Sequence, residues 1–207
     1  MKSKIGAQDF KMVQNEYDSA FAQGSPFRNP EWFVRSIRRL LVSEKKSPSI
    51  LDVACGDGHF LSFFEGYDRY GVDISKVAIS KAKSVGKCVV SPAEKLPFPK
   101  DKFDFVTCMG SLEHFIDMDA ALGEMKRVLK TGGTAVIHVP NSRYLVNAVL
   151  GVDTHHQINE RFATESEWKS LISKYFTVKK TVKYNTRWFL KWIPKRYSCH
   201  FTFVCVK

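Results

Sequence analysis

Two acidic residues and two glycines stand at spacings that could do chemistry. In "ILDVACGDGHF", Asp52 closes an apolar run and Gly56-x-Gly58 follows it, ahead of a helix-like stretch. Glycines in such a turn let the backbone approach a ligand closely, and their missing Cβ permits a sharp passage from strand to helix. Fifteen residues after Gly58, Asp73 ends a second apolar run in "YGVDIS". A carboxylate at a strand end can accept two hydrogen bonds from the 2′,3′-diol of a ribose, and charge-assisted bonds of this kind are among the stronger ones. The combination specifies a nucleoside lying across the carboxyl ends of strands. A dinucleotide site would want a third glycine and a helix N-terminus open to pyrophosphate. The positions after Gly58 are His59, Phe60 and Leu61, so that fingerprint is incomplete.

The elements that must position these residues follow from hydrophobic periodicity. Short apolar runs predict strands near 49–54, 69–73, 87–90, 103–108 and 133–139, alternating with helices near 58–65, 75–84 and 117–129. That alternation is the signature of right-handed βαβ units and a parallel sheet covered on both faces. Ahead of it, residues 1–47 read as a helical cap. It is broken at Gly24-Ser25-Pro26, and a second helix begins near Pro30, where Trp32, Phe33, Ile37, Leu40 and Leu41 recur at helical spacing. Beyond Pro140, Thr164 with Glu167 makes a capping box for a helix near 164–174. Two β-rich runs, Phe176 to Tyr184 and Cys199 to Val206, close the chain and can pair as an antiparallel hairpin on the sheet edge.

Composition narrows the class. The 207 residues, 44% of them apolar, suffice for one sizeable core, so a single domain is expected: cap 1–47, core 48–141 and C-terminal segment 142–207. Without a signal-like leader or a long apolar run, the expected location is cytoplasmic. Five scattered cysteines without a C-x-x-C pair argue against a disulfide framework and a zinc site. The net charge of +11 is uneven: Trp168 to Lys207 holds ten Lys or Arg and no Asp or Glu. Such a region favours anionic partners or serves as a solvated face.

Four segments in order, "LDVACGDGHFL", "GVDIS", "SPAEKLPFPKDKFDFVTCMGSLEHF" and "EMKRVLKTGGTAVIHVPN", resemble the motif series of class I S-adenosylmethionine (SAM)-dependent methyltransferases, most of all the small-molecule branch with the ubiquinone and menaquinone biosynthesis enzymes. The resemblance covers residues 49 to 141. It implies a Rossmann-like, doubly wound, mostly parallel seven-stranded sheet, with SAM as cofactor and S-adenosylhomocysteine (SAH) as product. Carried over by position, it implies that Asp52, Ala54, Gly56 and Gly58 surround the methionine part of SAM and that Asp73 holds the ribose hydroxyls. Ile74 would pack on the adenine, Ala93 and Glu94 would lie at its edge, and Gly110 and Ser111 would line the other side. Ala54 departs from the pattern, standing where many members carry the first glycine.

The acceptor is less legible. A hydroxyl acceptor must lose a proton, and histidine is the side chain best suited to take it near neutral pH. His114, in "SLEHF", is the first candidate; His155 and His156 are the second, in a segment that lids the pocket in similar enzymes. Adjacent histidines lack the i, i+4 spacing of a zinc pair, so no metal is expected. Asn141 and Arg161 are the candidate substrate contacts, the latter able to grip an acidic group. The fourth motif, "CMGSLEH", lacks the Asn/Asp-Pro-Pro-aromatic signature of amino-group methylation and a Pro-Cys that would attack a pyrimidine. A small or lipid-linked acceptor, methylated at oxygen or carbon, is therefore expected. An RNA acceptor held by the basic aromatic run 185–197 is the alternative. A third reading, a catalytically silent SAM-binding subunit, belongs to another class.

Overall fold

The computed structural model describes residues 6–24, 28–142, 161–184 and 198–207. Five parallel strands, β1 (Ser49–Val53), β2 (Asp68–Asp73), β3 (Lys87–Val90), β4 (Phe103–Met109) and β5 (Leu129–Pro140), are followed by β6 (Thr177–Tyr184) and β7 (His200–Val206). The sheet order is β3-β2-β1-β4-β5-β7-β6, with β7 inserted antiparallel between β5 and β6. The antiparallel C-terminal pair is the one the two β-rich runs predict. Because β2 and β4 flank β1, the chain reverses direction across the sheet between β1 and β4, and such a switch point opens a crevice at the carboxyl ends of the strands.

Consecutive strand residues feed opposite layers. Ile50, Phe105 and Val136 face one core with α2 (Glu31–Arg38), α3 (His59–Ser62) and α4 (Lys76–Ala82), whereas Leu51, Val106 and Ile137 face the other with α5 (Met118–Val128) and α6 (Glu165–Ser173). Each fully buried Leu, Ile or Phe contributes about 1.5–3 kcal/mol relative to its exposed state. Trp168 of α6 is also buried and donates from its indole N–H to the Pro140 carbonyl at 2.9 Å, tying the helix to the end of β5. The helix starts are capped as their sequences dictate. Ser75 Oγ accepts from Ala78 N at 3.0 Å, Asp117 Oδ1 accepts from Ala120 N at 3.0 Å, and Thr164 and Glu167 form the reciprocal capping box.

Two boundaries differ from the sequence expectation. The helix expected over 58–65 ends at Ser62, because Phe63 and Phe64 close i→i+3 turns to Phe60 and Leu61 that drive Phe64 into the core. Strand β5 begins at Leu129 rather than near 133, pairing Leu129 with Phe103 before a register shift resumes pairing at Thr134. The N-terminal cap divides as read, into α1 (Ala7–Ala22) and α2.

Candidate cofactor and acceptor site

The crevice at the switch point is a cleft of about 1000 Å³, counting the space at its mouth. Its floor is the turn after β1. Ala54 takes a left-handed conformation with φ 62°, unusual for a residue with a side chain, and Gly56 follows at φ 55°. A Cβ on Gly56 would lie 3.1 Å from the ring of Phe21, so the glycine lets α1 close down on the turn. Gly58, at φ 83°, is the N-cap of α3, and a Cβ there would press on Val85 at 3.2 Å. Gly58 shapes the turn from behind and does not line the cleft.

Asp73 joins the turn to the next helix. Its Oδ2 accepts from Gly56 N at 2.8 Å and its Oδ1 from Ser75 N at 2.9 Å. Each carboxylate oxygen has a second lone pair, which is what a ribose diol requires. Burial pushes the Asp73 carboxyl up to about 6 against the opposing pull of those N–H bonds. Asp52, at the end of β1, is buried with Oδ1 accepting from Thr107 Oγ1 at 2.6 Å, and desolvation pushes it up to about 8. Glu94 is half-buried, not a solvated surface charge: it accepts from Asp117 N at 3.2 Å, and burial raises its pKa.

Ala54, Ile74, Ala93, Gly110, Ser111 and His114 complete the predicted residues that line the cleft. His114 sits in the short 3₁₀ turn Leu112–His114, buried, with Nε2 3.9 Å from Glu113 Oε1, an ion-pair separation too long for a hydrogen bond. Cys108 is fully buried and its thiol is pushed well up by burial, so it cannot serve as a nucleophile.

The two substrate contacts expected from sequence are not among the residues that line this cleft. Asn141 is buried and donates from Nδ2 to the Ser198 carbonyl at 2.7 Å, fastening the end of β5 to the start of β7. Arg161 is exposed, and its backbone N–H donates to the Glu113 carbonyl at 3.1 Å. His155 and His156 fall outside the described residues.

Sequence reasoning missed the roof. Phe10, Val13, Tyr17 and Phe21, on one face of α1, cover the cleft. The helix is clamped there: Gln14 Nε2 donates to the Ile74 carbonyl at 2.6 Å, Asp18 Oδ1 accepts from Ser75 Oγ at 2.6 Å and Val77 N at 3.1 Å, and Lys81 Nζ donates to the Phe21 carbonyl at 2.6 Å. The i, i+3, i+7, i+11 recurrence of Phe10, Val13, Tyr17 and Phe21 was the available signal.

The cleft's charge decides what it can hold. In a protein of net charge +11, the lining holds Asp52, Asp57, Asp73 and Glu94 and not one Lys or Arg among the described residues. A pyrophosphate would find no counter-charge here. A ligand with a diol, an ammonium and a sulfonium fits the donor and acceptor set.

Comparison with known proteins agrees. Residues 51–137 match the family model described as a methyltransferase domain. Over those residues the chain is similar to the class I SAM-dependent methyltransferases. It is 33% identical over 140 residues to an uncharacterized methyltransferase, YcgJ, of Bacillus subtilis, covering 60% of this chain and 54% of that one. It is 32% identical over 148 residues to the ubiquinone/menaquinone biosynthesis C-methyltransferase UbiE of Burkholderia vietnamiensis, covering 66% and 60% respectively. The chain therefore spans little more than half the length of these curated relatives. Magnesium protoporphyrin IX methyltransferase from Synechocystis PCC 6803, solved with bound SAH, shares the fold: TM-score 0.72 at 15% identity, covering 95% of this chain and 99% of that one. The cofactor of this family is SAM, and the lining described above suits it. Among the described residues no helix is long and apolar enough to cross a membrane.

Proposed function

We propose that this chain transfers the methyl group of SAM to a small or lipid-linked acceptor, at oxygen or carbon rather than nitrogen. The observation that carries the reading is that the cleft lining of this basic protein holds four acidic side chains and no Lys or Arg among the described residues, with Asp73 set to hold a diol. In this reading Asp73 takes the ribose hydroxyls, and Ile74 with Ala93 and Glu94 borders the adenine. Asp52, Ala54 and Gly56 surround the methionine part, Gly58 supports that turn from behind, and Gly110 and Ser111 close the opposite side.

Bound SAM supplies an electrophilic methyl group, so the chain needs chiefly to hold the acceptor in line and keep water out. The α1 roof does the second. His114, buried in the cleft wall, is placed to accept a hydroxyl proton, with the Glu113 carboxylate nearby to favour the imidazolium that forms. The name of the Burkholderia relative favours carbon as the receiving atom.

The RNA reading has less support. Of the six lysines described from Trp168 to Lys207, Lys174, Lys183 and Lys207 are paired with Asp119, Glu165 and Asp101, and the basic aromatic run 185–197 lies outside the described residues. The test is transfer of label from methyl-labelled SAM to a panel of phenols, quinone precursors, acidic metabolites and bulk RNA. Labelled phenol or quinone precursor supports the proposal. Label only in RNA reverses the order of the two readings, and SAM binding without transfer to any acceptor points to the silent subunit.

A further inference from the structure

Two cysteines that the cofactor reading does not use meet behind the glycine turn. Cys55 stands between Ala54 and Gly56, and Cys88 lies on β3, in register with Gly71 of β2. Both side chains crowd that glycine. A Cβ on Gly71 would lie 2.6 Å from Cys55 Sγ and 2.9 Å from Cys88 Sγ, so the missing side chain is the space the two sulfurs share. Both cysteines are buried in one core, whereas Cys108 and Cys205 belong to the core on the other face of the sheet.

The two thiols are chemically unequal. Cys55 donates its S–H to Cys88, and that bond, with the Arg69 guanidinium, holds the Cys88 thiol below its ordinary range while Cys55 is pushed well up. The thiolate is the nucleophile in sulfur chemistry, so Cys88 attacks an oxidant first and Cys55, already in contact, resolves the product. Cys55 also lines the cofactor cleft, which gives a water-sized oxidant a way in. With hydrogen peroxide, the Cys88 thiolate takes one oxygen, becoming a sulfenic acid and releasing hydroxide. The Cys55 sulfur then attacks the Cys88 sulfur, forming the S–S bond and expelling the second oxygen as water. Peroxide is reduced to two waters, which carry off the protons of both thiols. Such a bond is made under oxidant and reversed by thiols, unlike a framework disulfide.

The bond would act on the cofactor turn. Closing two sulfurs from contact to about 2.05 Å draws Cys55 toward β3. Cys55 is flanked by Ala54 at φ 62° and Gly56 at φ 55°, and the Gly56 N–H donates to Asp73 Oδ2 at 2.8 Å. Pulling on Cys55 displaces that N–H from the carboxylate it holds in place.

We infer that Cys55 and Cys88 form a reversible oxidation site, and that joining them lowers affinity for the cofactor by displacing the turn after β1. The effect on the cofactor rests on the methyltransferase reading above; formation of the bond does not.

The experiment treats ligand-free wild type and Cys88→Ser with hydrogen peroxide, alkylates the remaining thiols and maps the peptides by mass spectrometry. SAH affinity is measured by calorimetry before oxidation, after it, and after dithiothreitol. The expected result is a cross-linked Cys55–Cys88 peptide in wild type and SAH affinity lowered about tenfold or more, the scale of one charge-assisted hydrogen bond, with recovery in dithiothreitol. Cys88→Ser binds SAH as reduced wild type does and keeps its affinity through peroxide. The inference is overturned if wild type yields no such peptide, if the peptide forms and SAH affinity does not change, or if Cys88→Ser loses affinity to peroxide equally. The wild-type map and titrations decide the matter by themselves should the variant not fold. Failure of reduced, folded wild type to bind SAH counts against the methyltransferase reading and with it the effect on the cofactor, while the peptide map still decides whether the bond forms.

Discussion

At the carboxyl ends of β1 and β2 the cleft is built largely from main chain and from carboxylates that touch it. Gly56 N and Ser75 N both point at Asp73, and Ala54 holds a left-handed turn. Across Gly110, at the ends of β5, β6 and β7, a neighbouring hollow is built from side chains: Phe33 of the cap, His138, Tyr184 and His200. Main-chain recognition needs a short run of residues in a fixed order. It suits a ligand that does not vary. Side-chain walls drawn from four distant elements can be replaced one at a time while the sheet stays as it is. The division matches the comparisons, in which the family model covers the first region, from 51 to 137, and stops short of Tyr184 and His200.

The contrast predicts that changes on the cleft side split between chemistry and affinity. The largest effect is expected at His114. With a hydroxyl acceptor, His114→Gln should lower kcat by about a hundredfold or more, the usual worth of a placed proton acceptor, with SAH affinity unchanged by calorimetry. A matched fall in SAH affinity would make His114 a part of the cofactor wall instead.

Next in size is the response of Asp52 to pH. Its folded pKa, about 8, lies above the ordinary value of 3.8, so between those limits the unfolded chain releases a proton that the folded one keeps. This group's contribution therefore favours folding less and less as pH rises through that window. Asp52→Asn should remove that dependence, gaining on wild type from about pH 4 to about pH 8 by on the order of a few kcal/mol, read by urea unfolding of the ligand-free protein. Parallel stability curves would place Asp52 in a wetter setting.

The smallest of the three concerns the roof. Asp18→Ala removes the acceptor that holds α1 to Ser75 and Val77. SAH affinity should fall about tenfold, the scale of one or two net hydrogen bonds, while transfer from bound SAM changes less.

How much was legible in the sequence follows the same division. Asp52, Gly56 and Asp73 could be placed because strand-end acid and glycine turn are local patterns, and Glu167 three residues after Thr164 announced the cap of α6. The strand pair β6–β7 was visible as two β-rich runs able to pair antiparallel at the sheet edge, whereas the placement of β7 between β5 and β6 carried no sequence signal. Asn141 and Arg161 were named from their positions in the chain, and the structure shows Asn141 bonded to the Ser198 carbonyl and the Arg161 N–H bonded to the Glu113 carbonyl. His138 and His200 carried no local signal at all. One sits inside an apolar strand and the other opens a strand at the far end of the chain, and only the sheet order brings them into stacking contact.

The most direct test of the account is calorimetric titration of SAM and SAH into wild type and Asp73→Ala. Two charge-assisted bonds to a ribose diol predict saturable binding of both ligands to wild type, weakened about a hundredfold in the variant. Equal affinity in the two proteins would contradict the ribose contact, and absence of binding to folded wild type would contradict the cofactor site as a whole.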